Sequence, residues 1–478
     1  MKIAMFASES NPLVKTGGLA DVIFSLSEEL AEKGNEVVIA LPYYKTIKPE
    51  YKKSFSKIGS FTVSMSWRRQ IANIYRGKIG KITFYLIGND FYFGRDRVYG
   101  YNDDGERFAF FDLSCRALLP FISFKADIIH VHDHQAAMIP VLIKEKDMAN
   151  PIYRDAKFVL TIHNPAFKGL LDRFFVSDYF GLDDSLYDSG KLRFEGAFST
   201  LKSGIIYADK ITTVSPSHRN ELLESDSGHG LQDILRLREM DFAGFLNGID
   251  YDEWNPATDK KIAKTYTAET IREGRKANQE ALLKKLGIVF KGGPVYGLVS
   301  RLTWQKGIDL VLRSGRKALE RGANLIILGS GEYKYEAAFE DLRREFPDTC
   351  AIYIGYSDLL AHEIYAGCDF FLMPSLFEPC GISQLISKRY GCLPIVRYTG
   401  GLKDTVNGYN YDNEDTADGV GFINYDEQGL DYGIEVSRNI YANEELYYKI
   451  IANAMAADHS WKATSELYLG MYRELTGK

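Results

Sequence analysis

Short apolar segments alternate with amphipathic segments in the first part of the chain. Residues 3–7 and 37–41 are apolar runs that predict strands. Between them, the apolar residues of segment 19–30 recur at helical spacing, and Gly34 follows where a helix end favours glycine. A strand–helix–strand unit of this kind requires a parallel sheet.

This alternation of apolar and amphipathic segments is interrupted near Asn247 and then resumes. Segment 247–250 consists of turn-forming residues, and the charged segment 269–285 predicts a helix. Further strands are predicted on both sides of this break, at 82–87, 127–131, 158–162, 210–214, 295–300, 325–328, 351–354, 370–373 and 393–396. The pattern therefore predicts two successive α/β domains, residues 1–247 and 248–458, hinged near residue 248. Because such folds bind ligands at the carboxyl ends of their strands, we expect a cleft between facing strand ends.

Composition narrows the classes of protein to consider. The 478 residues are 45% hydrophobic and 26% charged, as in ordinary globular proteins. The net charge of −6 disfavours a nucleic-acid partner. Five scattered cysteines without a C-x-x-C pair disfavour a disulfide framework or a zinc ribbon. The chain shows neither a signal-peptide core nor a run of about 18 apolar residues, so we expect a cytoplasmic protein without a membrane partner.

A glycine pair follows the first predicted strand and opens the first predicted helix. Lys15, Gly17 and Gly18 stand in this segment. Glycines let backbone amides approach an anion, and the helix N-terminus and the lysine add positive charge. The segment therefore predicts a phosphate-binding loop, and an ordinary tight turn is the alternative.

Two further segments at predicted strand ends carry charged groups. Arg301 and Lys306 follow the strand predicted at 295–300, where two cations suit a diphosphate. Glu378, Cys380 and Gly381 follow the strand predicted at 370–373, where the glycine is expected to open a helix. Glu378 is placed to bind sugar hydroxyls. The alternatives are a surface basic pair and, for Cys380, a small residue in a tight space.

Histidines gather at the ends of two other predicted strands. His130, His132 and His134 alternate around Asp133, and His163 follows the strand predicted at 158–162. Alternate residues of a strand share a face, which permits a zinc interpretation, but no distant ligand completes a zinc site. We instead interpret Asp133 and these histidines as polar groups that contact a ligand, and we expect no metal.

Two motifs have weaker interpretations. Gly329 and Gly331 begin a dinucleotide fingerprint, but Lys334 stands at its third glycine position, which disfavours a nicotinamide dehydrogenase. Asp250 and Asp252 fit a D-x-D metal pattern but lie in the predicted hinge. We interpret them as hinge structure.

With these segments in order, the sequence resembles the bacterial glycogen synthases and plant starch synthases. The matching segments are 15–22, 127–136, 163–164, 247–256, 300–307, 378–384 and 397–406, and segment 460–472 resembles the family's final helices. The resemblance implies the GT-B fold: two Rossmann-like parallel-sheet domains facing a deep interdomain cleft, with a C-terminal helix, 459–478, crossing back to the first domain. It also implies transfer of glucose from a nucleotide sugar, usually ADP-glucose, to the non-reducing end of an α-1,4-glucan with retention of configuration. In a plant or alga, the plastid stroma would replace the cytoplasm.

The resemblance also assigns roles to residues. It implies that Arg301 and Lys306 hold the donor diphosphate, and that Glu378 and His163 bind the donor glucose. Asp133 is the acid that the family places in its cleft. The further donor-binding residues by resemblance are Lys15, Gly17, Gly18, Asn247, Tyr356, Cys380, Gly381, Ser383, Thr399 and Gly400.

The family implies a front-face substitution, because no carboxylate stands out as a nucleophile. The cations can carry the charge of the leaving group, so neither a metal nor another cofactor is expected. Leu376 stands where many bacterial members have arginine, which leaves ADP-glucose and UDP-glucose both open as donors. A related transferase with another acceptor and an inactive glucan-binding scaffold are the remaining alternatives. The sequence leaves the oligomeric state undecided.

Overall fold

The computed structural model describes residues 1–225 and 227–478 and divides them into two compact units. Unit 1 comprises Met1–Asn247 and Trp461–Lys478, and unit 2 comprises Gly248–Ser460. The C-terminal helix begins at Trp461, two residues later than the sequence suggested. The reason is that the amide of Ile249 donates to the carbonyl of His459 at 2.8 Å and Ser460 forms a bridge with Ile249, which holds both residues in unit 2.

The strands of unit 1 are shorter at the sheet centre than in its outer hairpin. They are β1 Lys2–Phe6, β2 Glu36–Pro42, β3 Ser56–Met65, β4 Arg68–Ile79, β5 Ile82–Gly88, β6 Ile128–His132, β7 Lys157–Ile162, β8 Leu170–Leu171, β9 Arg193–Phe194, β10 Ala197–Ser199, β11 Lys210–Thr213 and β12 Phe242–Gly244. Unit 2 contains β13 Val295–Val299, β14 Asn324–Gly329, β15 Cys350–Ile354, β16 Phe370–Met373, β17 Leu393–Arg397 and β18 Val420–Phe422.

Helices connect most of these strands. Those that precede the change of unit are α1 Gly18–Glu32, α2 Pro49–Lys52, α3 Asp90–Phe93, α4 Asp104–Phe121, α5 Met138–Lys146, α6 Phe175–Asp178, α7 Ser185–Asp188, α8 Thr200–Tyr207, α9 Pro216–Glu221 and α10 Gln232–Leu237. Those that follow are α11 Ile271–Leu286, α12 Ile308–Glu320, α13 Tyr333–Glu345, α14 Asp358–Gly367, α15 Ser383–Arg389, α16 Gly400–Thr405, α17 Glu427–Ala442, α18 Glu444–Ala456 and α19 Trp461–Thr476. Two short 3₁₀ helices, Glu239–Asp241 and Trp304–Lys306, complete the set among the described residues.

Unit 1 is built on a nine-stranded sheet with the order β12-β11-β7-β6-β1-β2-β5-β4-β3. The strands from β12 to β5 pair in parallel, and β4 and β3 pair antiparallel at one edge. The central strands are mainly apolar and almost fully buried, as is typical of strands covered by helices on both faces. A separate three-stranded antiparallel sheet has the order β8-β10-β9.

Unit 2 is built on a six-stranded parallel sheet with the order β15-β14-β13-β16-β17-β18. Its own hydrophobic core packs between this sheet and the helices that connect its strands. The strand predicted at 370–373 is observed as Phe370–Met373, and the one predicted at 295–300 as Val295–Val299. The predicted parallel α/β architecture is confirmed for both units.

The long hairpin of β3 and β4 was not predicted. Most positions of β3 are exposed, and apolar Ile58, Phe61 and Val63 are separated by serine, glycine and threonine. An apolar run is therefore absent, and the strands form because their backbone pairs along the register Ser56↔Arg76 to Met65↔Arg68. Among the residues that the structure describes, no helix has the length and hydrophobicity needed to cross a bilayer.

Candidate active site

The strand order of unit 1 locates its binding edge. Strand β1 pairs with β2 on one side and β6 on the other, so the chain reverses its direction of winding between β1 and β6. Ligands of doubly wound sheets bind at the carboxyl strand ends beside such a reversal. The residues that follow β1, β6 and β7 therefore form the candidate site of unit 1.

Asp133 organises the ends of β6 and β7. Its backbone has a φ of 57°, and its Oδ1 accepts hydrogen bonds from the amides of His163 at 2.7 Å and Asn164 at 3.3 Å. The side chain of His132 lies on the same side, with Nδ1 3.0 Å from Nε2 of His163. The acid that the sequence analysis selected thus holds the backbone of the selected histidine.

Another histidine of this segment, His130, is enclosed by protein. His130 is fully buried, and its ring nitrogens lie 2.7 Å from the hydroxyl of Tyr472 and 2.6 Å from the hydroxyl of Thr161. Both nitrogens of His130 are thus engaged by protein hydroxyls, which does not suit a metal ligand. His130 is therefore excluded as a ligand of the zinc site considered for this segment.

Burial sets the charge state of this site. It lowers the pKa of His163 and of His130 to about 3 and the pKa of His134 to about 4. It also raises the pKa of Asp133 to about 7, although the two backbone amides act in the opposite direction. The histidines are therefore neutral near pH 7, and Asp133 titrates there.

The pKa of Asp133 predicts a pH-dependent stability. A carboxyl whose pKa rises on folding binds more protons in the folded state, so the free energy of unfolding falls as pH rises from about 4 to about 7. Asp133→Asn keeps an oxygen acceptor for the two amides and removes the titration. We expect the variant to gain stability relative to the wild-type protein across this interval, as measured by melting temperatures at several pH values. Parallel curves for the two proteins would contradict the assigned pKa.

The glycine loop after β1 is held by a residue that the sequence analysis missed. Glu9 is buried, and its carboxylate accepts hydrogen bonds from the amide of Thr16 at 2.5 Å, the hydroxyl of Thr16 at 2.9 Å and the hydroxyl of Tyr99 at 3.0 Å. Burial raises the pKa of Glu9. An acid directly after an apolar strand was the available signal, because it lies at the same carboxyl edge as the other site residues.

The predicted phosphate loop has the expected backbone. Gly17 caps α1, Gly18 begins it, and Lys15 Nζ lies 2.8 Å from Asp21 Oδ1 in the first turn. A Cβ atom at Gly17 would have no neighbour within 4 Å, and its φ of −159° suits any residue. Packing within the described part of the chain therefore does not require glycine at this position.

The site of unit 2 lies at the corresponding reversal of its sheet. Strand β13 pairs with β14 and β16, and Arg301, Lys306 and Glu378 follow β13 and β16. Lys306 Nζ donates to Glu378 Oε2 at 2.5 Å, and the hydroxyl of Ser375 donates to the same oxygen at 3.2 Å. Glu378 is 8% exposed, whereas Arg301 is exposed and forms no ion pair with the described residues. The structure thus brings the three predicted residues to one edge.

The partial dinucleotide motif has a structural role here. A Cβ atom on Gly329 would lie 2.0 Å from the carbonyl oxygen of Ser300, and one on Gly331 would lie 2.3 Å from that of Leu302. The two glycines let the backbone around Arg301 pack against the end of β14. The rejection of a dinucleotide interpretation is consistent with this contact.

Thr399 and Gly400 place a third loop against Glu378. Thr399 caps α16, and a Cβ atom at Gly400, where φ is +45°, would lie 2.1 Å from the carbonyl oxygen of Glu378. The amide of Gly401 donates to that carbonyl at 3.1 Å. Close backbone packing therefore fixes Glu378 from the end of β17.

Gly400→Ala is expected to lower the free energy of unfolding of unit 2 by about 3 kcal/mol, because it combines a positive φ with a backbone clash. Urea unfolding monitored by fluorescence measures this loss. Gly17→Ala is the matched control, and it is expected to change stability by less than about 0.5 kcal/mol because its Cβ meets open space. Equal unfolding curves for Gly400→Ala and the wild type would contradict the close packing.

The remaining predicted residues differ in their surroundings. Tyr356 is 82% exposed after β15, and Cys380 is buried. Gly381 does not open a helix as predicted, because its φ of +75° lies outside helical space and α15 begins at Ser383. In unit 1, Asn247 is buried, and its Oδ1 has no partner among the described residues.

One group of side chains in the described residues has metal-like spacing. Glu253, Asp358 and His362 place ligating atoms within 4.8 Å of one another. Lys261 Nζ lies 2.6 Å from Asp358 Oδ2 and 3.1 Å from His362 Nε2, so an ammonium group already occupies the cation position. Asp250 accepts hydrogen bonds from the amides of Asp252 and Glu253, which is turn structure as predicted.

Comparisons with known proteins agree with this geometry. The family model described as the starch synthase catalytic domain matches residues 2–237, and that of the glycosyl transferases group 1 matches residues 279–454. A glycogen synthase of Clostridium beijerinckii is 42% identical over 482 residues that cover 100% of both chains. The chain belongs to the glycogen synthase family. A second relative within this family, the glycogen synthase of Clostridium perfringens, is 42% identical over 99% of this chain and 98% of the relative.

Solved structures extend the likeness of this glycogen synthase family member to the fold. The catalytic domain of starch synthase IV from Arabidopsis thaliana, bound to ADP and acarbose, has a TM-score of 0.93 and 30% identity, covering 100% of this chain and 99% of that one. The prediction of Rossmann-like parallel-sheet domains of the GT-B type is confirmed, and so is the family suggested by sequence. As a member of the glycogen synthase family, the protein is a glycosyltransferase.

Proposed function

We propose that this protein transfers glucose from ADP-glucose to the non-reducing end of an α-1,4-glucan with retention of configuration. The observation that carries the proposal is the arrangement at the carboxyl edge of the unit 2 sheet. There, Arg301 and Lys306 follow one strand and the buried carboxylate of Glu378 follows the next. Two cations beside an acid suit a sugar joined to a diphosphate, since they can bind its phosphates while the acid binds its hydroxyls.

The names of relatives support the two substrate classes. The curated relatives are named glycogen synthases, and the solved starch synthase IV domain holds ADP and acarbose. A nucleoside diphosphate sugar and a glucan are therefore the substrates that we propose for this chain. Tyr356 would stack on the nucleobase with its exposed ring, and Cys380, Gly381, Ser383, Thr399 and Gly400 would line the nucleotide pocket.

The proposed reaction exchanges one bond at the anomeric carbon. The bond from this carbon to the diphosphate oxygen breaks, and the glucan hydroxyl oxygen forms its bond on the same face. The hydroxyl proton passes to the leaving diphosphate. Arg301 and Lys306 stabilise the negative charge that develops on the diphosphate, so the proposed chemistry requires neither a metal nor another cofactor.

Candidate phosphate-binding and sugar-binding groups also lie in unit 1. Lys15 and the amides of Gly17 and Gly18 would bind phosphate oxygens. His163 would bind the glucose, with its backbone held by Asp133. The buried and unpartnered Oδ1 of Asn247 would accept a hydrogen bond from a sugar hydroxyl, which would satisfy an otherwise costly buried acceptor.

The test incubates purified protein and glycogen with ADP-glucose or UDP-glucose and measures nucleoside diphosphate release. Incorporation of labelled glucose into material that an α-1,4-specific exo-amylase digests checks the linkage. We expect turnover with ADP-glucose that depends on glycogen. Faster turnover with UDP-glucose would contradict the proposed donor, and no turnover with either would contradict the proposed transferase.

A further inference from the structure

His132 is a buried side chain to which the proposed reaction gives no role. It is fully buried at the end of β6, and its Nδ1 lies 3.0 Å from Nε2 of His163. Its other nitrogen, Nε2, is buried and has no hydrogen-bond partner among the residues that the structure describes. The contact with His163 is therefore the one polar contact that the described residues give this ring.

Only one assignment of protons avoids an orphaned donor. A neutral imidazole carries one N–H group and one lone pair, and burial keeps the pKa of His132 well below its usual value. A proton on Nε2 of His132 would be a buried N–H group without an acceptor, which is rare in folded proteins. The proton therefore resides on Nδ1 of His132, which donates it to Nε2 of His163. His163 must then carry its own proton on Nδ1.

The surrounding side chains hold this pair in place. The ring of His130 packs against that of His132 with 4.1 Å between centroids, and His130 is fixed by Tyr472 at one nitrogen and Thr161 at the other. Asp133 fixes the backbone of His163 through its amide. The ring of His163 is thus held at Nε2 by His132 and at its backbone by Asp133, and these are the hydrogen bonds that the described residues form with His163.

We propose that His132 is a positioning residue that fixes the tautomer of His163, so that Nδ1–H of His163 is presented as a hydrogen-bond donor to a hydroxyl oxygen of the donor sugar. The sugar part of this inference rests on the proposed function, whereas the tautomer does not. The opposite tautomer would present a lone pair at the same place and would require the sugar hydroxyl to donate. His132 therefore determines whether His163 or the sugar hydroxyl donates the hydrogen bond between them.

The tautomer is measured directly on the full chain labelled with ¹⁵N-histidine. Long-range proton–nitrogen correlation distinguishes Nδ1–H from Nε2–H rings, and His163→Gln identifies the signals of His163 among those of the 8 histidines. We expect Nδ1–H for His163 and for His132 near pH 7. An Nε2–H ring at position 163 in the wild-type protein overturns the proposal, whatever the activity.

Two variants of His132 test the consequence for turnover. His132→Asn keeps an amide N–H near the position of Nδ1, and His132→Leu removes the donor. We expect His132→Leu to shift His163 toward the Nε2–H form and to lower kcat/KM about tenfold, as for the loss of one hydrogen bond. His132→Asn should retain the Nδ1–H signal of His163 and most of the activity.

His218→Leu is the matched control. His218 is also buried and also has an unpartnered Nε2, but it lies in α9 and its Nδ1 is 3.5 Å from Glu221. We expect wild-type kcat/KM for this variant. An unchanged His163 tautomer in His132→Leu, or an equal loss of activity in His218→Leu, would overturn the positioning role. If the wild-type protein transfers no glucose, the proposed function fails, and the nitrogen signals alone decide the tautomer.

Discussion

Glu378→Ala is expected to lower kcat for glucose transfer by about a thousandfold, which corresponds to about 4 kcal/mol of transition-state stabilisation. Glu378 is buried and receives hydrogen bonds from Lys306 at 2.5 Å and Ser375 at 3.2 Å. Its removal leaves the ammonium group of Lys306 without the carboxylate that holds it beside the proposed phosphate site. The substitution also removes the acceptor proposed for the sugar hydroxyls. Nucleoside diphosphate release under saturating substrate measures the effect.

The matched control is a lysine–glutamate pair in the same unit. Glu363 lies 2.6 Å from Lys285, and Glu363→Ala is expected to change kcat less than twofold because the pair is outside the site and partly solvated. Sedimentation with glycogen should be the same for Glu378→Ala and the wild type. Normal turnover by Glu378→Ala would remove this residue from the mechanism, and loss of glycogen binding would assign it to acceptor recognition instead.

Arg301→Ala is expected to lower kcat/KM for the nucleotide sugar at least a hundredfold, because a guanidinium group binds two phosphate oxygens at once and carries charge onto the leaving group. Arg301 is exposed and has no ion-pair partner among the described residues, so its removal should leave the fold intact. Arg301→Lys should recover only part of the activity, since an ammonium group is a point charge without the planar fork.

Arg321→Ala is the control for the loss of a positive charge elsewhere on the surface of unit 2. Arg321 lies 3.1 Å from Glu435 on the surface of unit 2, and its loss should leave kcat/KM within a factor of two. Raising the ionic strength should weaken binding of the nucleotide sugar by the wild-type protein and by Arg301→Lys alike, since both retain a cation at this position. Wild-type kinetics for Arg301→Ala would contradict the proposed diphosphate site.

The sequence could predict those features that leave a local pattern. The buried parallel strands are apolar runs, so β16 was predicted at its observed bounds, and Arg301 and Glu378 were selected as candidate site residues because they follow such runs. Lys15 and Gly17 were selected as candidates in the same way. The pairing of Lys306 with Glu378 could not be predicted, because 72 residues separate them and only the order of β13 and β16 in the sheet brings them together.

Other features have no local signal or, like Glu9, have a local signal that does not reveal their partners. The hairpin of β3 and β4 alternates exposed and half-buried positions without an apolar run. Glu9 stands between two serines, and its role depends on Thr16 and Tyr99, the latter 90 residues away. Gly381 was expected to open a helix because glycine suits such positions, but its positive φ serves the turn before α15. Side-chain networks of this kind depend on tertiary contacts, which cannot be inferred from the spacing of residues along the sequence.

The discontinuity of unit 1 has a consequence for the synthesis of the protein. Unit 2 is inserted between Asn247 and Trp461, so a ribosome makes all of unit 2 before it makes the last helix of unit 1. Until that helix emerges, the nascent chain lacks Tyr472, whose hydroxyl lies 2.7 Å from the buried ring of His130. A product that stops before residue 461 would contain the whole of unit 2 but would expose the surface of unit 1 that Trp461, Tyr468 and Tyr472 cover. The hydrogen bond between His130 and Tyr472 therefore forms only after residue 472 has been made.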